Sequence, residues 1–239
     1  MAKCEEVSSA CRFSSNGQLL GLLVLSFVGS SWAQFAVPEG YDGFQYNGVQ
    51  GNGRGPVVWE VFIDPMCRNC KSGWPALTQV AERYGSSLVI VVHPFPAPFH
   101  HNAFFAARAL HIAQMLNSSL VYPLLELVFR DQETFSNPST RDETPAHVIS
   151  RLISLAGELG VPANLFEAGF NAVATDQATR LSFKYGCSRG VVGTPTYLVN
   201  GMTVIGANDG WSVDDWAKIL DSMVKEPELN ARTDHTTQS

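Results

Sequence analysis

Two cysteines separated by two residues, Cys67-Arg68-Asn69-Cys70, are the part of this sequence best suited to chemistry. A thiolate is a nucleophile and a thiol is not, so reactivity depends on surroundings that bring a cysteine below its free pKa of about 8.5. The pair follows a β-branched and aromatic run, Val57 to Ile63, and opens a stretch that reads as a helix. A cysteine just ahead of a helix has its sulfur near unpaired backbone N–H groups and the positive end of the helix dipole, and both favour thiolate. Two intervening residues let the second sulfur reach the first and close a small disulfide ring. The spacing therefore predicts dithiol chemistry, with Cys67 as the exposed attacking thiol and Cys70, one turn inside, as the thiol that resolves the mixed disulfide. Arg68 would place positive charge beside the pair and lower the pKa further, which favours an oxidant or isomerase over a reductant. Two other uses stay open. Zinc usually takes four ligands, and with no second C-x-x-C or H-x-x-x-H in the chain, Cys187 and a histidine would have to complete the site. A purely structural disulfide would staple very little chain.

The elements that must hold this pair can be read from the hydrophobic pattern. Val57 to Ile63 is a buried strand ended by Asp64-Pro65. A helix follows from about Cys70 to Tyr84, with Gly85 as its stop and Pro75 either kinking it or lying in its first turn. Leu88 to Val92 is a second buried strand, ended by His93-Pro94. A helical block comes next: Asn102 to Leu116, with an apolar face of Phe105, Ala109, Ile112 and Leu116, then Tyr122 to Arg130, Thr144 to Leu159, and one or two helices within Ala163 to Tyr185. Thr196 to Val199 and Thr203 to Ile205 form a hairpin about Asn200-Gly201, and a last helix spans Val213 to Val224. The order is strand, helix, strand, helical block, hairpin, helix, an α/β arrangement.

The pair Cys67-Arg68-Asn69-Cys70 after a buried strand, together with Gly193-Thr194-Pro195-Thr196-Tyr197-Leu198-Val199-Asn200-Gly201, resembles the thioredoxin superfamily. The helical insertion makes the chain most similar to its DsbA-like branch. The resemblance implies a thioredoxin-like fold and protein disulfide oxidoreductase activity with no bound cofactor, the cysteine pair being itself the redox group. It implies that Pro195 is the cis-proline facing the dithiol and that the Thr194 backbone pairs with an extended cysteine-containing peptide or protein beside Cys67. A proline there has no N–H and cannot act as a ligand, which leaves the thiolate free and disfavours metal capture. Met66 stands where the family often has a large aromatic residue. The family also often has a buried acid six residues before the first cysteine, where this chain has Val61. Glu60, one position earlier and on the opposite strand face unless a bulge intervenes, is the proton-relay candidate, with a strand-end or surface acid as the alternative. Asp64 is nearer the dithiol and reads as a turn cap. His93 reads as a satisfied polar group at a strand end, His100-His101 as a helix start, and Cys187 as a buried free thiol or a third redox partner.

The bulk properties fit this picture. Of 239 residues, 45% are hydrophobic and 16% charged, which describes a packed protein, and a net charge of −6 gives no electrostatic case for nucleic acid. Lys3 and Arg12 precede an apolar run, Leu19 to Val28, and Ser31-Trp32-Ala33 fits a small-x-small cleavage site, so residues 1–33 read as a signal peptide. The run is too short to span a bilayer comfortably, a buried helix or signal anchor being the alternative. Residues 34–56 read as an extended lead-in, 57–226 as the thioredoxin-like domain with its insertion at about 100–187, and 227–239 as a disordered tail. The expected setting is the secretory pathway, extracellular or lumenal, without stable membrane insertion after cleavage and without an ER-retention tail. Asn117-Ser118-Ser119 is then a glycosylation sequon at Asn117. The expected activity is thiol–disulfide exchange on extracytoplasmic proteins. The alternatives are a redox-inactive thioredoxin-fold module that binds a peptide or partner, or a glutathione-transferase-like relative, against which the second cysteine argues. The sequence sets no oligomeric state.

Overall fold

The computed structural model describes residues 42–46 and 57–224; the segment expected to be a signal peptide, most of the expected lead-in and the expected tail lie outside the described residues. Five strands form one sheet, in spatial order Phe44–Gln45 (β1), Leu88–Pro94 (β3), Val57–Ile63 (β2), Thr196–Val199 (β4) and Met202–Thr203 (β5). Its centre is β2 (Val57–Ile63), parallel to β3 (Leu88–Pro94) on one side and antiparallel to β4 (Thr196–Val199) on the other. A strand covered on both faces has no solvated side, which is why its sequence is almost continuously apolar rather than alternating. Trp59, Val61 and Ile63 belong to the larger core, whereas Phe62 packs with Phe95, Val191 and Leu198 on the other face.

Between β2 and β3 runs α1 (Arg68–Tyr84), which buries Cys70, Gly73, Trp74, Leu77, Val80 and Ala81 and ends at Gly85, where φ is 49°. It begins two residues earlier than the sequence suggests, and Pro75 lies well inside it rather than in its first turn. The last helix, α7 (Val213–Val224), shares its face of the sheet: Trp216 packs 4.5 Å from Trp59 and 4.7 Å from Tyr197, ring to ring, and the Tyr84 hydroxyl of α1 donates to Asp221 of α7 at 2.7 Å. A capping box fixes its start, with the Asp215 N–H donating to Ser212 Oγ and the Ser212 N–H donating to Asp215 Oδ2.

Five helices lie between β3 and β4: α2 (Ala103–Leu116), α3 (Val121–Arg130), α4 (Pro145–Glu158), α5 (Ala163–Asn171) and α6 (Val173–Ser188). The buried face of α2 is mostly alanine, with Leu110 and Ile112; the expected Phe105 is half-buried and Leu116 is exposed. Small side chains let neighbouring helices come close. The insertion does not extend through α6, because that helix returns to the sheet and covers Phe62 and Phe95 with Phe183 and Tyr185. Asn117, exposed just past α2, accepts from the Ser119 N–H and hydroxyl.

Three differences from the sequence reading have simple causes. The lead-in contributes a short strand, β1 (Phe44–Gln45), antiparallel to β3; two residues are too few to show periodicity. Strand β3 runs on through His93 and Pro94, since a proline at the last ladder position forfeits no bond that must be made. The returning hairpin strand β5 is Met202–Thr203, because the two-residue turn at Asn200 and Gly201, both at positive φ, sets Met202 opposite Val199; Ile205 is 93% exposed.

Gly186 is where α6 comes closest to the sheet: a Cβ there would drive into the Phe95 ring and crowd Phe62. Gly186→Ala should therefore destabilise the fold by about 1–3 kcal/mol in urea unfolding. Gly157→Ala, on the exposed side of α4 with open space about it, should be neutral or stabilising by up to about 1 kcal/mol. Equal effects of the two would contradict this packing.

Candidate active site

The chain leaves β2 at Ile63 and turns at once. Asp64, fully buried, organises the turn: its Oδ1 accepts from the Met66 N–H at 2.8 Å, and its Oδ2 accepts from the Ala97 N–H at 3.0 Å and from His100 Nδ1 at 2.7 Å. Its own carbonyl accepts from the Cys67 N–H at 3.0 Å, and its N–H points at Cys70 Sγ, 3.4 Å away. Cys67 is the residue that caps α1, with extended backbone (φ −80°, ψ 123°) and no capping side-chain hydrogen bond as a thiol. Cys70 lies one turn along on the buried face, and both are free thiols.

The two sulfurs are electrostatic opposites. Cys67 is pulled down to about 6, chiefly by the hydrogen bond from the Cys70 thiol. Burial opposes the shift, while the Thr194 side chain and the Cys70 and Asn69 N–H groups reinforce it. Cys70 is pushed well above the ordinary thiol range by complete burial, then by its hydrogen bond to Cys67 and the Cys67 charge. One thiol is thus poised as an anion near neutral pH and the other holds its proton. A low-pKa thiolate is a good leaving group from a disulfide, and a protonated neighbour stabilises it when it leaves.

The loop before β4 closes over the pair. The Thr194–Pro195 peptide bond is cis, and the Cys67 thiol donates to the Thr194 carbonyl at 3.3 Å. This cover leaves Cys67 only 9% exposed, so the expectation of an openly exposed attacking sulfur needs correction. Arg68 also departs from expectation. Its guanidinium turns outward to pair with Glu133 at 2.8 Å, and the lowering of Cys67 comes from hydrogen bonds rather than from that charge.

Glu60 is neither a surface nor a strand-end acid. It is buried in mid-strand on the α6 side of the sheet, accepts from the Tyr185 hydroxyl at 2.9 Å, and lies 3.5 Å from His93 Nε2 and 3.6 Å from Arg189. The acid beside the dithiol is Asp64, which meets the cysteines through its backbone N–H and carbonyl rather than its carboxylate. Cys187 is exposed, not buried: α6 turns Thr179, Ser182 and Gly186 inward, and the next residue points away. Among the described residues no group of three or more His, Cys, Asp or Glu side chains stands together as a metal site. Sequence reasoning missed Gln132, just past α3, whose amide donates to the Pro65 and Cys67 carbonyls at 2.9 and 3.0 Å and so ties the helical block to the turn. Nothing local to Gln132 signals that role. His100 did carry a signal, its place in the loop just ahead of α2, but not the partner that gives it meaning.

Residues 59–217 match the family model of the DSBA-like thioredoxin domain. A protein assigned as a disulfide isomerase from Pseudomonas syringae superposes with a TM-score of 0.65 at 20% identity, over 74% of this chain and 97% of that one. A periplasmic thioredoxin-like protein from Salmonella enterica serovar Typhimurium gives 0.56 at 16% identity, over 82% and 96%. At these identities the likeness shows the fold. In sequence, 154 residues are 26% identical to a Na(+)/H(+) antiporter NhaA from Herminiimonas arsenicoxydans, 64% of this chain but 22% of that protein, so the match spans about a fifth of that relative's length.

The electrostatics predict a two-step titration. Thiolate ultraviolet absorbance of the reduced protein should show one midpoint at about 6 that Cys67→Ser removes, with Cys70 still protonated well into the alkaline range. Two thiols titrating together in the ordinary range would contradict the site as described.

Proposed function

Because this chain belongs to the DSBA-like thioredoxin family, we propose that it is a protein disulfide oxidoreductase working through Cys67 and Cys70 on extracytoplasmic, cysteine-containing proteins or peptides. The observation that carries this reading is the split between a depressed Cys67 and a raised Cys70 at the start of α1. In the oxidising direction a substrate thiolate attacks Cys67 of the Cys67–Cys70 disulfide and Cys70 leaves with its electron pair, taking up a proton. The second substrate thiolate then attacks the substrate sulfur of the mixed disulfide, and Cys67 leaves as thiolate. The low Cys67 pKa favours this departure, and so favours oxidase or isomerase action over reduction. The Thr194 backbone beside Cys67 is the place where an extended substrate chain would align, by main-chain pairing as at an open sheet edge. The cysteine pair supplies the redox chemistry without a further cofactor.

The extracytoplasmic setting is supported by the Leu19–Val28 run with its small-residue site, and by the likeness to a periplasmic protein. No helix of the described residues is long and apolar enough to cross a membrane.

Cys67→Ser should reduce oxidative refolding of a reduced disulfide protein to background, while Cys70→Ser should accumulate mixed disulfides visible on non-reducing gels. Retained activity in the first variant and no trapped species in the second would leave a redox-inactive binding module as the better reading. Protein recovered from its host should begin near Gln34 on N-terminal sequencing; an intact Met1 on cytosolic protein would overturn the setting.

A further inference from the structure

Asp64 does more than shape the turn. The carboxylate that braces the turn is hydrogen-bonded to His100 Nδ1 at 2.7 Å, and the same residue's N–H approaches Cys70 Sγ. His100 lies between β3 and α2, with its side chain 27% exposed and Phe99 packed edge-on against the ring at 4.7 Å. It is therefore a partly solvated imidazole fixed to the residue that braces both cysteines. Resting on the dithiol reading above, we propose that His100 is a positioning residue for thiol–disulfide exchange: anchored on Asp64, it holds a positive charge at the mouth of the site that favours the Cys67 thiolate over the Cys67–Cys70 disulfide.

The hydrogen bond to Asp64 is the main influence raising the His100 pKa; burial opposes it, and the charges of Asp64 and Cys67 add to it. The titratable groups about the ring are thus Asp64 from the turn after β2 and Cys67 from the start of α1, with His101 next in the chain. Coupling is reciprocal: if the Cys67 anion favours protonated His100, protonated His100 must favour the Cys67 anion by the same factor. This adds to the hydrogen bonds that do most of the lowering. When a substrate dithiol is oxidised it gives up two electrons and two protons. The Cys67–Cys70 bond breaks, Cys70 keeps one proton, the other goes to solvent, and Cys67 remains as thiolate. A charge that stabilises that thiolate draws the equilibrium toward the reduced protein and makes the disulfide a stronger oxidant.

The test compares the wild-type chain, His100→Gln and His100→Lys by thiolate absorbance, by equilibration with reduced and oxidised glutathione, and by urea unfolding. His100→Gln should raise the Cys67 pKa by about half a unit and shift the glutathione equilibrium about threefold toward the disulfide near neutral pH. His100→Lys, which keeps the charge, should restore both. The gap between wild type and His100→Gln should close as the pH rises past the His100 titration, while the gap between His100→Lys and His100→Gln persists. A folded His100→Gln protein with unchanged pKa and equilibrium overturns the proposal, as does a loss of stability alone that His100→Lys does not correct. A wild-type protein with no depressed thiol and no exchange with glutathione overturns the dithiol reading itself, and this proposal with it.

Discussion

A buried carboxylate, Asp64, is the point on which the rest of the site depends. Placing an unpaired charge in a protein interior costs several kcal/mol, so such a group is tolerated only where donors surround it. Asp64 has three: two backbone N–H groups, from Met66 and Ala97, and the His100 ring. The two backbone donors come from segments far apart in sequence, the turn after β2 and the loop after β3. Satisfying one carboxylate therefore fixes the separation of the two parallel strand ends. The Cys67 N–H then meets the Asp64 carbonyl, α1 starts at Arg68, and Cys70 comes to rest beneath the turn. The reactive geometry is set before either sulfur makes a contact of its own.

The sheet divides the ionisable groups between its faces. On the α6 side, His93 bonds Asp42 at 3.0 Å and makes a looser ion-pair contact with Glu60, which also holds the Tyr185 hydroxyl. Burial disfavours a charged His93, but Asp42 and Glu60 outweigh it and raise its pKa, while His93 in turn lowers that of Glu60 despite the burial of both. The signs bound the useful range. The Glu60 contribution is complete above the ordinary carboxylate pKa and fades as pH falls through its lowered value. The His93 contribution is complete below about 6.5 and fades as pH rises through its raised value. This network links β1, β2, β3 and α6, and so braces the central strand from behind while the dithiol works at its end.

Much of this was legible in the chain because the strongest signals were local. Val57–Ile63 and the Asn200-Gly201 turn declare themselves through composition and turn chemistry, and the C-x-x-C pair through its position between strand and helix. What escaped depends on contacts between segments far apart. Gln132 and Cys67 are 65 positions apart, and His100 and Asp64 are 36 apart. Arg68 illustrates the converse. Its position in the motif suggested a partner for the thiolates, but a distant carboxylate, Glu133, was available in solvent, where a long cation keeps its hydration. Exposure was misjudged at Cys67 and Cys187 for the same reason: a loop arriving from the far end of the chain covers one, and the rotation of α6 uncovers the other.

The asymmetry of the two cysteines follows from where helix geometry puts them: one at the cap, where the other's thiol can donate to it, and one fully buried. The first residues of a helix leave N–H groups without partners, and a sulfur at the cap position receives them far better as an anion than as a thiol. Three residues further on, the chain has turned inward and the same element holds its thiol in the core, where full desolvation outweighs the one backbone N–H, that of Asp64, aimed at the sulfur. A single strand–turn–helix therefore creates two thiols of opposite character at hydrogen-bonding distance, and each sharpens the other: the Cys70 proton favours the Cys67 charge, and that charge makes Cys70 harder to ionise. The Thr194 loop adds to the lowering of Cys67 and also decides access. It places a carbonyl against Cys67 and shields it from bulk water, so that an approaching chain must meet the loop and the sulfur together.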